Sequence, residues 1–93
     1  MAESIIQSEK ACYVTGSTQF LDRHHVFKAS RRKKADEYGL WVWLRHDVHM
    51  KMHDHCKPYE TLENDLKAVA QKAFEEKVGT RDEFRAIFGA SYL

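Results

Sequence analysis

Cysteine, proline and glycine are all sparse in this 93-residue chain, which has two, one and four of them respectively. Cys12 and Cys56 are too few for a disulfide framework, and neither sits in a CxxC pair, so they read as unpaired thiols of a reducing compartment. No stretch approaches the roughly 18 to 20 consecutive apolar residues of a membrane span. Met1 to Lys10 lacks the basic start and apolar run of a signal peptide, which leads to the expectation of a cytoplasmic protein that avoids membranes. Internal repeats and low-complexity tracts are missing as well. What is present, 43% hydrophobic and 12% aromatic residues, suits a globule, and the length has room for one domain spanning residues 1–93. A domain this small has a thin core, to which a bound ion can add stability.

A dominant charge of one sign is absent too, since the formal net charge is +1, but the charges are unevenly placed. Residues 1–57 hold ten Lys/Arg against seven Asp/Glu, whereas residues 58–93 hold five against seven. The excess is concentrated in Arg23, Lys28, Arg31, Arg32, Lys33 and Lys34, a local basic surface suited to a polyanion.

The hydrophobic pattern predicts an α+β organisation. Ala11 to Val14 is β-prone, Thr15-Gly16-Ser17-Thr18 is turn-like, and Phe20 to Phe27 is expected to return as a second strand of a hairpin carrying His24 and His25. Ser30 is placed to cap a short basic helix running to Glu37 and ended by Gly39, and Leu40 to Leu44 reads as a further strand. Val48, Met52 and Cys56 recur at helical spacing in the segment from His46, with Asp47 at its start, where a carboxylate complements the helix dipole. After Pro58, the residues Leu62, Leu66, Val69, Ala70, Ala73 and Phe74 mark a helix of roughly residues 59–78. Gly79 ends it. Thr80 and Glu83 have capping-box spacing for a last helix presenting Phe84, Ile87 and Phe88, which with Tyr92 and Leu93 close the core or a subunit contact.

Six histidines stand out, at 24, 25, 46, 49, 53 and 55. An i, i+4 pair on a helix projects both side chains from one face, so His49 and His53 can ligate one ion. Neutral imidazole suits Zn²⁺, Ni²⁺, Co²⁺ and Mn²⁺, and a third ligand is available from His24-His25. Neighbours on a strand point to opposite faces, which lets one ring ligate while the other faces a water beside a substrate. Three protein ligands leave coordination positions open, as catalytic metals require, and an imidazole of ordinary pKa is a suitable general base near neutrality. His46 and His55 read as surface or supporting residues.

The arrangement LDRHHVF followed by a β-type run and HDVHMKMH resembles the HNH endonucleases, in particular colicin-type nuclease domains. CYVTG, RKKADEYGLWVWL and DEFRAIFGASYL are similar to segments of small HNH proteins of phages and prophages. The resemblance implies a ββα-metal core at about residues 11–56, built of a hairpin and short helix, with additional C-terminal helices over about 59–93. It further implies one divalent ion (Zn, Ni, Mn or Mg) on His24, His49 and His53, His25 as general base, and hydrolysis of DNA. The basic run would contact phosphates, and a homodimer would bring two sites to both strands. Two positions depart from the family: the middle Asn, which orients the base, is missing around Gly39-Leu40, and Arg45 and Val48 stand where relatives carry a second CxxC pair. The first departure implies an alternative, a catalytically weak or inactive metal-stapled module that binds DNA or protein.

Overall fold

The computed structural model describes residues 2–93. It contains a two-stranded antiparallel sheet, β1 (Leu21–His25) and β2 (Trp41–Arg45), and four helices: α1 (Arg32–Glu37), α2 (His46–His53), α3 (Leu62–Lys77) and α4 (Arg81–Phe88). The α+β class is as the sequence predicts. The strand partner is not. Instead of pairing with Ala11–Val14, β1 pairs across α1 with β2, in a register that sets His24 against Val42 and His25 against Trp41.

The reason lies in what each candidate partner can bury. In β2, Val42 and Leu44 are fully buried and Trp41 nearly so, whereas Tyr13 and Val14 remain exposed. Their segment is held by a tight turn, with Cys12 N–H donating to the Ser17 carbonyl at 2.8 Å, by Gln7 Nε2 donating to the Ala11 carbonyl, and by a bond from Tyr13 N–H to the Trp43 carbonyl. Sheet pairing follows the larger apolar burial, which local turn chemistry cannot match.

Ser30 does not cap α1 either. It lies inside a short 3-10 turn, Ala29–Arg31, and α1 starts after it with Arg31 at the N-cap position and no side-chain bond. The helix is therefore held by packing of Ala35, fully buried, more than by its ends. Gly39 does end it, at φ 71°, and a Cβ there would collide with the Glu3 carbonyl oxygen as the N-terminal segment crosses over. Ile5 N–H bonds the Gly39 carbonyl at 2.9 Å at the same crossing.

The expected helix after Pro58 begins at Leu62, three residues later than the spacing suggests, because Cys56 to Leu62 is taken up by turns. Leu66, Ala70, Ala73 and Phe74 of α3 are buried as the stripe predicts, while Val69 is only partly covered. The capping box forms: Thr80 Oγ1 accepts from Glu83 N–H while the Glu83 carboxylate accepts from Thr80 N–H. Phe84 and Phe88 then close one continuous core with Phe74 and with Phe27 from the end of β1, the rings of Phe27 and Phe88 standing 4.5 Å apart. No helix among the described residues is long and apolar enough to cross a membrane.

Gly39→Ala combines a left-handed backbone with a steric collision, so it should lower unfolding free energy by about 2 kcal/mol or more. Urea denaturation measures this, and an unchanged midpoint would refute the assigned turn.

Candidate metal centre

α2 carries its apolar and its imidazole residues on adjacent faces. Val48 and Met52 are buried one turn apart, and His49 and His53, each one residue further along, are turned toward the sheet beside them. The helix start is tied to the chain just before β1, through His46 N–H to the Phe20 carbonyl at 2.8 Å. On β1, His24 lies on the face shared with Asp22, opposite Val42, and is only 2% exposed. Val26 and Phe27, both buried, fix the strand end that follows.

These elements bring together the three histidines named from the sequence. One ligand atom each from His24, His49 and His53 lies within 4.8 Å of the others. His49 Nε2 and His53 Nε2 are 3.1 Å apart. Two nitrogens bound at about 2.0 to 2.1 Å to a tetrahedral ion stand about 3.3 Å apart, so this pair already has close to a chelating separation. The test of fit is His24 Nε2, which is buried and has no hydrogen-bond partner among the described residues. A buried polar atom without a partner is costly, and a cation between the three rings would satisfy it.

The surroundings set the protonation of the ligands. Burial, then the positive neighbours His49, Lys28 and His53, push the His24 pKa down from 6.5 to about 3, which keeps the ring neutral and able to ligate. His53 is lowered as well, by burial first and then by Lys28 and His49. Asp22 accepts from His49 Nδ1 at 3.0 Å, leaving the His49 lone pair on Nε2, the nitrogen that faces His53. The same carboxylate oxygen accepts from His46 Nδ1 at 2.7 Å. Burial raises the Asp22 pKa, but the bonds from His49 and His46 outweigh it and the group is held below the usual carboxylate range.

The sequence reading missed Asp22, although strand alternation two residues before His24 was a usable signal. It also missed Glu63, which takes Lys28 Nζ at 2.8 Å while that ammonium reaches His53 Nδ1 at 3.1 Å. His46 is an exposed supporting residue through Asp22. His55 follows α2 at φ 55°, exposed, and takes no part in the cluster.

A cavity of about 330 Å³ opens beside the rings, lined by Arg23, His24, His25, Lys28, Arg32, His49 and His53. Every ionic side chain lining it is cationic. The six basic candidates do not act as one run. Arg23, Lys28 and Arg32 line this cleft, Lys33 borders a neighbouring one with His25 and Asp36, Arg31 turns toward Phe88 and Tyr92, and Lys34 pairs with Glu37 at 3.3 Å. A larger cavity, about 490 Å³, lies between the N-terminal segment and Trp41 and Trp43; it has no ligand cluster, so the smaller one is the better candidate. Arg23 lines both and stacks on Trp41 and Trp43, its guanidinium 4.4 and 5.2 Å from their ring centroids.

Comparison with family models, with curated proteins and with solved structures finds no match for this chain.

Zn²⁺ or Ni²⁺ should bind with a stoichiometry of one, His24→Ala should abolish that binding, and Asp22→Ala should weaken it about 10- to 100-fold. Calorimetric titration decides, and full-affinity binding by His24→Ala would rule out the centre. A second expectation concerns pH in the presence of chelator. The unfolded His24 protonates below its ordinary value of 6.5, and the folded one does so only near 3. Its contribution is therefore complete above pH 6.5 and is lost as pH falls toward 3, amounting to about 2 kcal/mol by pH 5. Urea unfolding at pH 7 and pH 5 should show wild type losing that much more than His24→Phe; equal losses would contradict the burial of this ring.

Proposed function

We propose that the chain is a metal-dependent endonuclease of the HNH type that hydrolyses DNA phosphodiester bonds. The observation that supports this most is the convergence of three imidazoles, one with a buried unpartnered nitrogen, in a cleft whose ionic lining is wholly cationic. A three-imidazole site suits a divalent cation with open positions, and a cationic wall suits a phosphate diester.

His24, His49 and His53 would hold the ion, which when bound supplies Lewis-acid stabilisation of charge developing at the phosphate and the leaving oxygen. His25, adjacent to His24 and lining the same cleft, takes a proton from water as the water oxygen forms its bond to phosphorus. The bond to the leaving 3′ oxygen breaks, and that oxygen is protonated from solvent. Arg23, Lys28 and Arg32 grip phosphate oxygens and set the strand in the cleft. Contacts of this kind recognise backbone and carry little base preference.

One observation favours a second reading, a metal-stapled module that binds DNA or a protein without cutting. Around Gly39-Leu40, where the resembling family has its orienting Asn, glycine offers no side chain and Leu40 is fully buried in the apolar core. A plasmid-nicking assay with Mg²⁺, Mn²⁺ or Ni²⁺ and a chelator control separates the two. The nuclease reading expects nicking that chelator abolishes and that His25→Ala reduces about 10²- to 10⁴-fold at unchanged metal stoichiometry. Retarded but uncut plasmid in every metal would establish the binding module instead.

A further inference from the structure

His25 offers one of its ring nitrogens to α1. Its Nε2 lies 3.0 Å from Asp36 Oδ1, in a sheltered contact where the two side chains are 10% and 32% exposed. Resting on the nuclease reading, we propose that Asp36 is a positioning residue that holds the His25 ring with Nε2–H bonded and Nδ1 as the nitrogen that takes the proton from water.

An ionised carboxylate only accepts hydrogen bonds, so the shared hydrogen belongs to His25 Nε2. A neutral imidazole carries one N–H, and fixing it at Nε2 puts the lone pair on Nδ1. The same carboxylate then faces the positive ring formed once Nδ1 is protonated, the arrangement by which an acidic group orients a histidine base without itself taking the proton.

The helix terminus does not account for the placement. Asp36 sits in the last turn of α1, whose C-terminal end disfavours a negative side chain. Arg32 and Lys33, which border the cavity with His25 and Asp36, bring cations to the same corner. Leu40 buries its side chain in the core and can form no hydrogen bond to an imidazole. Asp36 is thus the acidic group that α1 delivers to the base, and Ala35 beside it, fully buried, locks the helix in place.

The test uses the full chain loaded with Mn²⁺ and a duplex substrate, comparing wild type, Asp36→Ala, His25→Ala and the double variant. Alanine favours the helix at position 36, so folding is retained. Asp36→Ala should lower kcat about 10- to 100-fold with KM and metal stoichiometry unchanged, and should have no further effect in the His25→Ala background. Independently of turnover, ¹H–¹⁵N spectra should resolve a His25 Nε2–H protected from solvent exchange in wild type and lost in Asp36→Ala. Wild-type kcat in Asp36→Ala, or an equal fall in both backgrounds, would overturn the proposal. Wild type that cuts nothing would overturn the nuclease reading alone, and the Nε2–H signal then decides whether Asp36 holds the ring.

Discussion

The burial of one imidazole nitrogen constrains the rest of this small molecule. His24 occupies a strand position that ordinary core logic would give to an aliphatic residue, opposite Val42 and beside Val26, yet its ring stands 5.2 and 6.0 Å from those of His49 and His53, and its buried Nε2 has no hydrogen-bond partner among the described residues. Such an arrangement costs free energy unless something between the rings accepts the lone pair. Evolution retains costs of that kind where a site needs them, and here the cost coincides with three imidazoles whose ligand atoms can converge on one cation. The low His24 pKa and the unsatisfied atom share a leading cause, a polar ring taken out of water, to which His49, Lys28 and His53 add positive charge in the case of the pKa.

The remaining elements can be understood by how they hold that ring and its two partners. β2 supplies the apolar backing, α2 packs Val48 and Met52 so that His49 and His53 stand over β1, and Asp22 fixes which nitrogen of His49 points inward. The C-terminal helices contribute at a distance. Phe84 and Phe88 clamp Phe27, three residues beyond His24, so the end of the strand that carries the donor is anchored in the aromatic cluster. Among the described residues three non-glycine ones adopt left-handed backbone: Phe20 just before β1, Ala29 at the start of the 3-10 turn that follows β1, and His55 two residues after α2. Strain is thus confined to the joints of the two segments that present the histidines.

Much of the centre was legible because it depends on short-range geometry. An HxxxH spacing has one outcome on a helix, and an HH pair on a strand must diverge, so periodicity gave His49, His53 and one ring of the pair, while the choice of His24 over His25 as the ligand came from the family resemblance. The strand pairing was not legible. Local turn residues at 15–18 favour a hairpin, but the decision belongs to the apolar burial of Val42 and Leu44, which lies some twenty residues away in the chain. Ser30 failed as a cap for a related reason, since the 3-10 turn consumes it before α1 begins. Asp36 gave no signal at all, because its approach to His25 depends on the angle at which α1 leaves that turn.

The distribution of positive charge argues for a directional cleft rather than a general adhesive surface. Six basic residues within twelve positions could have formed a solvated stripe, yet only Arg23, Lys28 and Arg32 reach the histidine cavity. Lys28 is held between His53 and Glu63, and Arg23 lies against two indoles, so two of these three cations are restrained before any ligand arrives. Restrained cations lose less conformational freedom on binding an anion than free lysines do, which would favour anion binding at the rings over binding along the chain. A chain that needed only non-specific adhesion to a polyanion would gain nothing from such bracing. Bracing beside a three-imidazole cluster therefore suits the proposed placement of one phosphate better than a merely charged surface would.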